Sequence, residues 1–226
     1  RRCKGIAMTF RGYRRPDGTV GIRNHVLILP TSICAARVAS NIAGAVPGCV
    51  AACHAYGCCQ VGADTRLTFQ TLVNTAANPN VGAIVVVGLG CEGWEPLGLL
   101  RAVEGLGKPA RAVVIQDEGG SLDAIRRGAA VAARMADTLA THGREEIPVS
   151  LLVLGLECGG SDATSGLAAN PALGAAADLL IAGGGTCILS ETTESIGAEH
   201  VLARRAVNDR VRRRLLDIVR ACEERA

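Results

Sequence analysis

From Asn24 onward the chain alternates short apolar runs with longer amphipathic stretches. Residues 25–29 (His-Val-Leu-Ile-Leu) predict a buried strand closed by Pro30, residues 34–45 a helix, and residues 49–53 a second strand. Ala63–Ala77 predicts a helix with Leu67, Leu72 and Val73 turned inward, stopped by Asn78-Pro79. Residues 83–87 (Ala-Ile-Val-Val-Val) give the clearest strand. A helix over 97–106 and a strand over 112–116 follow. A long helix over 121–142 has Ser121 as its cap and Asp123 in its first turn. Residues 149–154 predict another buried strand. Shorter apolar runs, 178–182 and Thr186–Leu189, are separated by three glycines. The tail, 198–226, is helical with Leu202, Val207, Val211, Leu215 and Ile218 on one side.

Continuous Val/Ile/Leu strands alternating with helices imply a mainly parallel sheet covered on both faces, a three-layer α/β sandwich of Rossmann-like type. No Pro- or Ser-rich linker divides the chain. The expected organisation is a turn-rich segment over 1–24, one α/β core over 25–200 and a C-terminal helix over 201–226. Within the first segment, Arg15-Pro16-Asp17-Gly18 has the residue order of a tight turn.

Composition narrows the core. Hydrophobic residues make up 49% of the chain but aromatics only 2%, so Ala, Val, Leu and Ile must fill the interior, with 28 glycines at the turns. The net charge of +3 is concentrated at Arg14, Arg15 and Arg23 and over 204–214. A nucleic-acid reader would add aromatic stacking groups to such patches, and Phe10, Tyr13, Tyr56, Phe69 and Trp94 are too few and scattered. The tail arginines read as the solvated face of an amphipathic helix. By inspection no apolar stretch is long enough for a bilayer span, and residues 1–10 lack the apolar core of a signal peptide. The expected compartment is the cytoplasm, where thiols stay reduced. Ten cysteines there suggest metal or redox chemistry before disulfides, although free cysteine also serves as a small core residue.

One local pattern recurs: a strand ends, a turn follows, and a cysteine sits in it. The strand at 83–87 leads into Gly88-Leu89-Gly90-Cys91-Glu92. The strand at 149–154 leads into Gly155-Leu156-Glu157-Cys158-Gly159-Gly160-Ser161-Asp162. The first strand leads through Pro30-Thr31-Ser32-Ile33 to Cys34, and the second to His54-Ala55-Tyr56-Gly57-Cys58-Cys59. Ligands of open parallel sheets bind outside the carboxyl ends of the strands. Three or four thiolates there suit an iron–sulfur cluster or zinc. No C-x-x-C pair is present, so zinc-ribbon and thioredoxin patterns are absent. Cys3, Cys49, Cys53, Cys187 and Cys222 fall outside the pattern and read as structural.

The same turns hold acid–base groups. His54, Glu92 and Asp162 are the catalytic candidates, Asp162 serving equally well as a helix cap. Arg23 and Asn24 suit a carboxylate ligand, with a structural salt bridge as the alternative. Gly159, Gly160, Ser161 and Glu191 complete the candidate substrate-binding set.

Gly12-Tyr13-Arg14-Arg15-Pro16-Asp17-Gly18-Thr19-Val20-Gly21-Ile22-Arg23-Asn24 resembles the N-terminal motif of the altronate and galactarate dehydratases. The likeness continues through Pro30-Thr31-Ser32-Ile33-Cys34, His54-Ala55-Tyr56-Gly57-Cys58, Gly90-Cys91-Glu92 and Cys158-Gly159-Gly160-Ser161-Asp162. It closes with Ser190-Glu191-Thr192 and Gly197-Ala198-Glu199-His200. Sulfolactate sulfo-lyase large subunits look similar. The resemblance implies elimination of water from a sugar acid, or of sulfite from sulfolactate, to give a 2-keto acid. It also implies dependence on iron, as Fe2+ or an iron–sulfur cluster. Cys58, Cys91 and Cys158 are then the expected ligands, with Cys34 as a fourth. The expected partners are the sugar-acid substrate, a small N-terminal β-rich domain and a C-terminal α/β domain, both expected outside this chain, and in some settings further copies of it. No nucleic acid or membrane is expected. The family's usual Gly-Cys-Gly is here Gly57-Cys58-Cys59. Two other readings stand beside this one: a metal-free scaffold domain, with its cysteines separately buried, and a zinc hydrolase, disfavoured by the few histidines near the cysteines.

Overall fold

The structure, a computed structural model, describes residues 8–92 and 96–225; Cys3 and Trp94 lie outside the described residues. It divides into two compact units, Thr9–Ile147 and a second made of Met8 with residues 148–225. The single core read over 25–200 is thus crossed by a seam at Pro148.

The larger unit is organised by β3 (His25–Pro30), β4 (Cys49–Ala51), β5 (Val81–Gly88) and β6 (Ala110–Val114). They form a parallel sheet in the order β4-β3-β5-β6. Every residue of β5 is buried, which explains its uninterrupted apolar sequence: both of its faces are covered. Side chains alternate along β3 and β5. Val26, Ile28, Val85 and Val87 pack under α1 (Ile33–Ala45) and α4 (Ser121–Ala140). Leu27, Leu29, Ile84 and Val86 pack under α2 (Ala63–Ala77) and α3 (Pro96–Glu104). This is the three-layer α/β arrangement the periodicity implies. Leu72 faces that second core and Val73 packs against it, but Leu67 is 68% exposed. The cap of α4 is Gly120 and not Ser121.

Ahead of the sheet, β1 (Thr9–Arg14) pairs antiparallel with β2 (Val20–Gly21), and β7 (Glu145–Pro148) adds to its other side. The turn between β1 and β2 is the expected one. Gly18 donates to the Arg15 carbonyl at 2.9 Å, and Asp17 accepts from the Thr19 backbone (2.9 Å) and hydroxyl (2.7 Å).

The smaller unit holds two parallel strands, β8 (Val153–Leu156) and β9 (Thr186–Leu189), with α5 (Asn170–Ala182), α6 (Glu199–Ala203) and α7 (Asp209–Glu223). The buried strand read over 149–154 is corrected: Val149–Leu151 is a 3-10 turn, and in β8 only Leu156 is buried. A run of apolar residues shows that a segment seeks cover without showing what covers it. The tail helix is two helices, and Asn208 caps α7 by accepting from the Val211 N–H. By length and mean hydropathy alone, Ser165–Ala182 is apolar enough to cross a bilayer, which corrects the reading that no stretch is. Asp178 lies within it and pairs with Arg205 at 3.4 Å, an arrangement suited to a water-facing helix.

Candidate active site

The sheet order makes β3 and β5 neighbours although β4 lies between them in sequence, so the winding reverses there. Such a switch point opens a crevice beyond the strand ends. Thr31, fully buried, closes the floor of this one. Its N–H donates to the Val87 carbonyl at 2.9 Å and its hydroxyl to Glu92. Glu92 also accepts from the Leu89 and Gly90 backbone N–H groups. Burial opposes its charge, but the bonds from Thr31, Gly90 and Leu89 outweigh burial and hold its carboxyl below the usual range. Glu92 is therefore an ionised clamp across the switch point and a weak base.

The turn after β4 folds onto the turn after β3. Ile33 donates to the Tyr56 carbonyl at 2.8 Å. His54 Nε2 lies 2.9 Å from the Pro30 carbonyl, which can only accept, so that nitrogen carries the proton; Nδ1 then accepts from the Tyr56 N–H at 3.2 Å. Both ring nitrogens are engaged. Gly57 has φ +90°, and a Cβ there would stand 2.8 Å from Ser32 Cα, so only glycine allows the two turns to close up. Cys59 follows with φ +58°, a left-handed conformation that a side chain seldom adopts.

These turns bring three thiols together. Cys58 Sγ lies 3.7 Å from Cys59 Sγ, and Cys58 also contacts Cys34, from the first turn of α1. Hydrogen bonds to Cys59 and Cys34, which need the neutral thiol, push Cys58 up to about 11. All three are exposed. Two thiolates on one tetrahedral ion with bonds of about 2.3 Å stand about 3.8 Å apart, so the Cys58–Cys59 separation fits a soft metal. No group of three or more His, Cys, Asp or Glu forms a metal-holding arrangement among the described residues. Cys91, also exposed, sits in the turn after β5. Ser32 Oγ is buried beside Gly57 without a hydrogen-bond partner among the described residues.

Other candidates lie elsewhere. Arg23 and Asn24 precede β3, and five strand rises of about 3.3 Å each put them at the opposite edge of the sheet. There Asn24 accepts from Arg15 and donates to the Leu139 carbonyl, while both Ile22 and Arg23 N–H groups donate to Asn80. The smaller unit repeats the strand-end design. The Cys158 N–H donates to Glu191 at 2.6 Å, and Glu191 has φ +59°. Both line a cavity of about 250 Å³. Asp162 accepts from Thr164 (2.6 Å) and the Ser165 N–H (2.9 Å), so it caps the turn that follows. Gly159 and Gly160 have open space around them, and Ser161 is exposed beside them. Cys49 packs against the core, where burial raises its thiol. Cys53, by contrast, is exposed and donates to the Ala36 carbonyl.

Fold and site together define a doubly wound α/β unit with a thiol-bearing switch point, followed by a second unit whose strand end pairs a cysteine with a glutamate. The profile of the D-galactarate dehydratase/altronate hydrolase second domain matches residues 12–140, and that of the D-galactarate/altronate dehydratase C-terminal region matches 149–226. The chain belongs to the galactarate/altronate dehydratase family. The C-terminal match starts just past the seam, which corrects the expectation that this part lies wholly outside the chain. The beta subunit of (2R)-sulfolactate sulfo-lyase from Chromohalobacter salexigens is 40% identical over 209 residues, covering 91% of this chain and 52% of that protein. Altronate dehydratase from Bacillus subtilis is 35% identical, covering 93% and 44%. Galactarate dehydratase (L-threo-forming) from Escherichia coli is 38% identical, covering 92% and 44%. The chain thus spans about half the length of these relatives. One of them is named as a subunit.

Proposed function

We propose that the chain is the thiol-bearing portion of a cytoplasmic hydro-lyase that removes water from a sugar acid such as altronate or galactarate, leaving a 2-keto-3-deoxy acid. The observation that carries this reading is the meeting of three cysteine-bearing turns at the switch point of a chain that belongs to this family. Dehydration takes a proton from the carbon beside the carboxylate and hydroxide from the next carbon; the resulting enol then tautomerises to the keto acid. His54 is the proton acceptor we assign, because its Nδ1 gives up only the long bond from Tyr56. Glu92 holds the floor of the crevice. Cys34 and Cys58 would hold an iron centre, with Cys59 and Cys91 as further thiolates. Bound there, iron would supply Lewis acidity toward the leaving hydroxyl. The identity to a sulfo-lyase subunit supports a second reading, release of sulfite from sulfolactate by the same proton abstraction.

The test is anaerobic iron and acid-labile sulfide content, with an absorption spectrum, on the wild type and on Cys58→Ser and Cys91→Ser. Iron with sulfide, lost in the variants, supports a cluster; iron alone supports a mononuclear centre. Neither, after reconstitution, overturns the metal assignment in favour of a scaffold domain.

A further inference from the structure

A cleft of about 720 Å³ runs alongside the edge strand β6 and helix α4, and its deepest cations belong to the amino edge of the sheet. Six cationic side chains line it, Arg14, Arg15, Lys108, Arg111, Arg127 and Arg134, against the single carboxylate of Glu118. Of the six, only Arg14 has an ion-pair partner among the described residues, Glu145 at 2.7 Å. Lys108 is 8% exposed. Its ammonium donates to the carbonyls of Ala76 and Asn78, both at 2.8 Å, neutral acceptors that solvate the charge without cancelling it. Burial, and then the neighbouring Arg15, push Lys108 down to about 8, opposed only in part by the charge of Asp17. A buried cation that no carboxylate contacts in an ion pair among the described residues is unfavourable, and a bound anion would offset that.

The lining also limits the ligand's shape. Arg127 and Arg134 lie seven residues apart on α4, about 10 Å along its axis, so the charges are spread along the cleft and not gathered at one point. Val131 between them and Met135 just beyond supply an apolar wall. Phe, Tyr and Trp are absent among the described lining residues, so a nucleobase would find no stacking partner.

We infer that this cleft binds a small, elongated, non-aromatic polyanion carrying two or more phosphate or carboxylate groups, at a place separate from the cysteine turns. Guanidinium groups match either oxyanion in bidentate fashion. A small polycarboxylate and an oligophosphate share this chemistry.

Calorimetric titration of the whole chain at low ionic strength, with tripolyphosphate and separately with tricarballylate, a polycarboxylate without the hydroxyls of a sugar acid, tests the assignment. The expected result is one saturable site for at least one probe, weakened about tenfold by each of Arg111→Gln and Arg134→Gln and unchanged by Cys58→Ser. Both arginines are exposed, and an unfolding midpoint like that of the wild type shows that the variants fold. Tighter tripolyphosphate binding identifies a phosphate-bearing ligand, and tighter tricarballylate binding a polycarboxylate. Absence of saturable binding for both probes overturns the inference. So does binding that survives both arginine substitutions, or that is lost in Cys58→Ser, since the anion would then be read elsewhere.

Discussion

Strands β5 (Val-Gly-Ala-Ile-Val-Val-Val-Gly) and β8 (Val-Leu-Gly-Leu) are both uncharged apolar runs, yet β5 is buried throughout while Val153 in β8 is 58% exposed. The difference is in the neighbours. β5 lies between two other strands with helices on both faces; β8 pairs with β9 alone among the described residues. In the smaller unit Ile188, Leu189 and Ile181 are each more than half exposed. Thus the larger unit meets the condition for a stable parallel sheet, cover on both faces, and the smaller one leaves apolar surface in water. Matching apolar content does not confer matching stability. Hydrophobic stabilisation depends on area removed from water, about 25 cal/mol per Å².

The contrast can be broken most strongly at the chemistry. In enzyme assembled with its remaining portions, His54→Gln is expected to lower kcat by about 10²–10⁴-fold, the usual worth of a positioned acid–base group. Its counterpart at the strand end of the smaller unit, Glu191→Gln, should cost less, and steady-state kinetics on a sugar acid compare the two. Equal losses would move the proton acceptor to the smaller unit. Next comes packing. Ile84→Ala should cost about 2–5 kcal/mol in denaturant unfolding, whereas Val153→Ala should cost below about 1 kcal/mol, because little is buried there to lose. A large loss at Val153 would mean that its surface is covered in solution.

Glycines sharpen the comparison further. Gly57→Ala forces a side chain into a left-handed conformation against Ser32 and should cost about 1–3 kcal/mol, with altered thiol labelling of Cys58 and Cys59. Gly159→Ala, with nothing nearby, should leave the unfolding midpoint in place. If it nonetheless weakens substrate binding, the substrate passes close to that backbone. The smallest effect concerns Glu92. Its folded carboxyl lies below the ordinary value, so the stability it contributes is fully present above the unfolded carboxyl range and is lost as pH falls through the folded value. Wild type and Glu92→Gln should therefore converge in midpoint on acidification, and parallel curves would remove the clamp role.

The sequence made the larger sheet legible because β3 and β5 announce themselves as continuous apolar runs bounded by Pro30 and Gly88. β1 and β7 were invisible: Thr-Phe-Arg-Gly-Tyr-Arg and Glu-Glu-Ile-Pro each carry two charges within a few residues and owe their strand form to each other across more than a hundred residues. The first turns of α5 were missed because Ala, Gly and Pro171 leave no apolar stripe, while Asp178 to Ala182 at its end showed only as a short run. At the site, the strand–turn–cysteine pattern located Cys34 and Cys58. Nothing along the chain could show that His54 spends both nitrogens on backbone atoms, because Pro30 meets it only once β3 and β4 are paired. Thr31 was legible only as part of the Pro-Thr-Ser-Ile-Cys motif. Its role depends on Glu92, 61 residues away.

The order β4-β3-β5-β6 also governs how the chain emerges during synthesis. Thr31 and its partner Val87 are 56 residues apart, so the inner edge of β3 waits for β5 for roughly 3–10 s at ordinary elongation rates. Through that interval β3 displays unpaired N–H and C=O groups along an apolar strand, the surface that captures other nascent chains. The strand that anchors the crevice is therefore also the one that most needs shielding by a holdase while the ribosome completes the sheet.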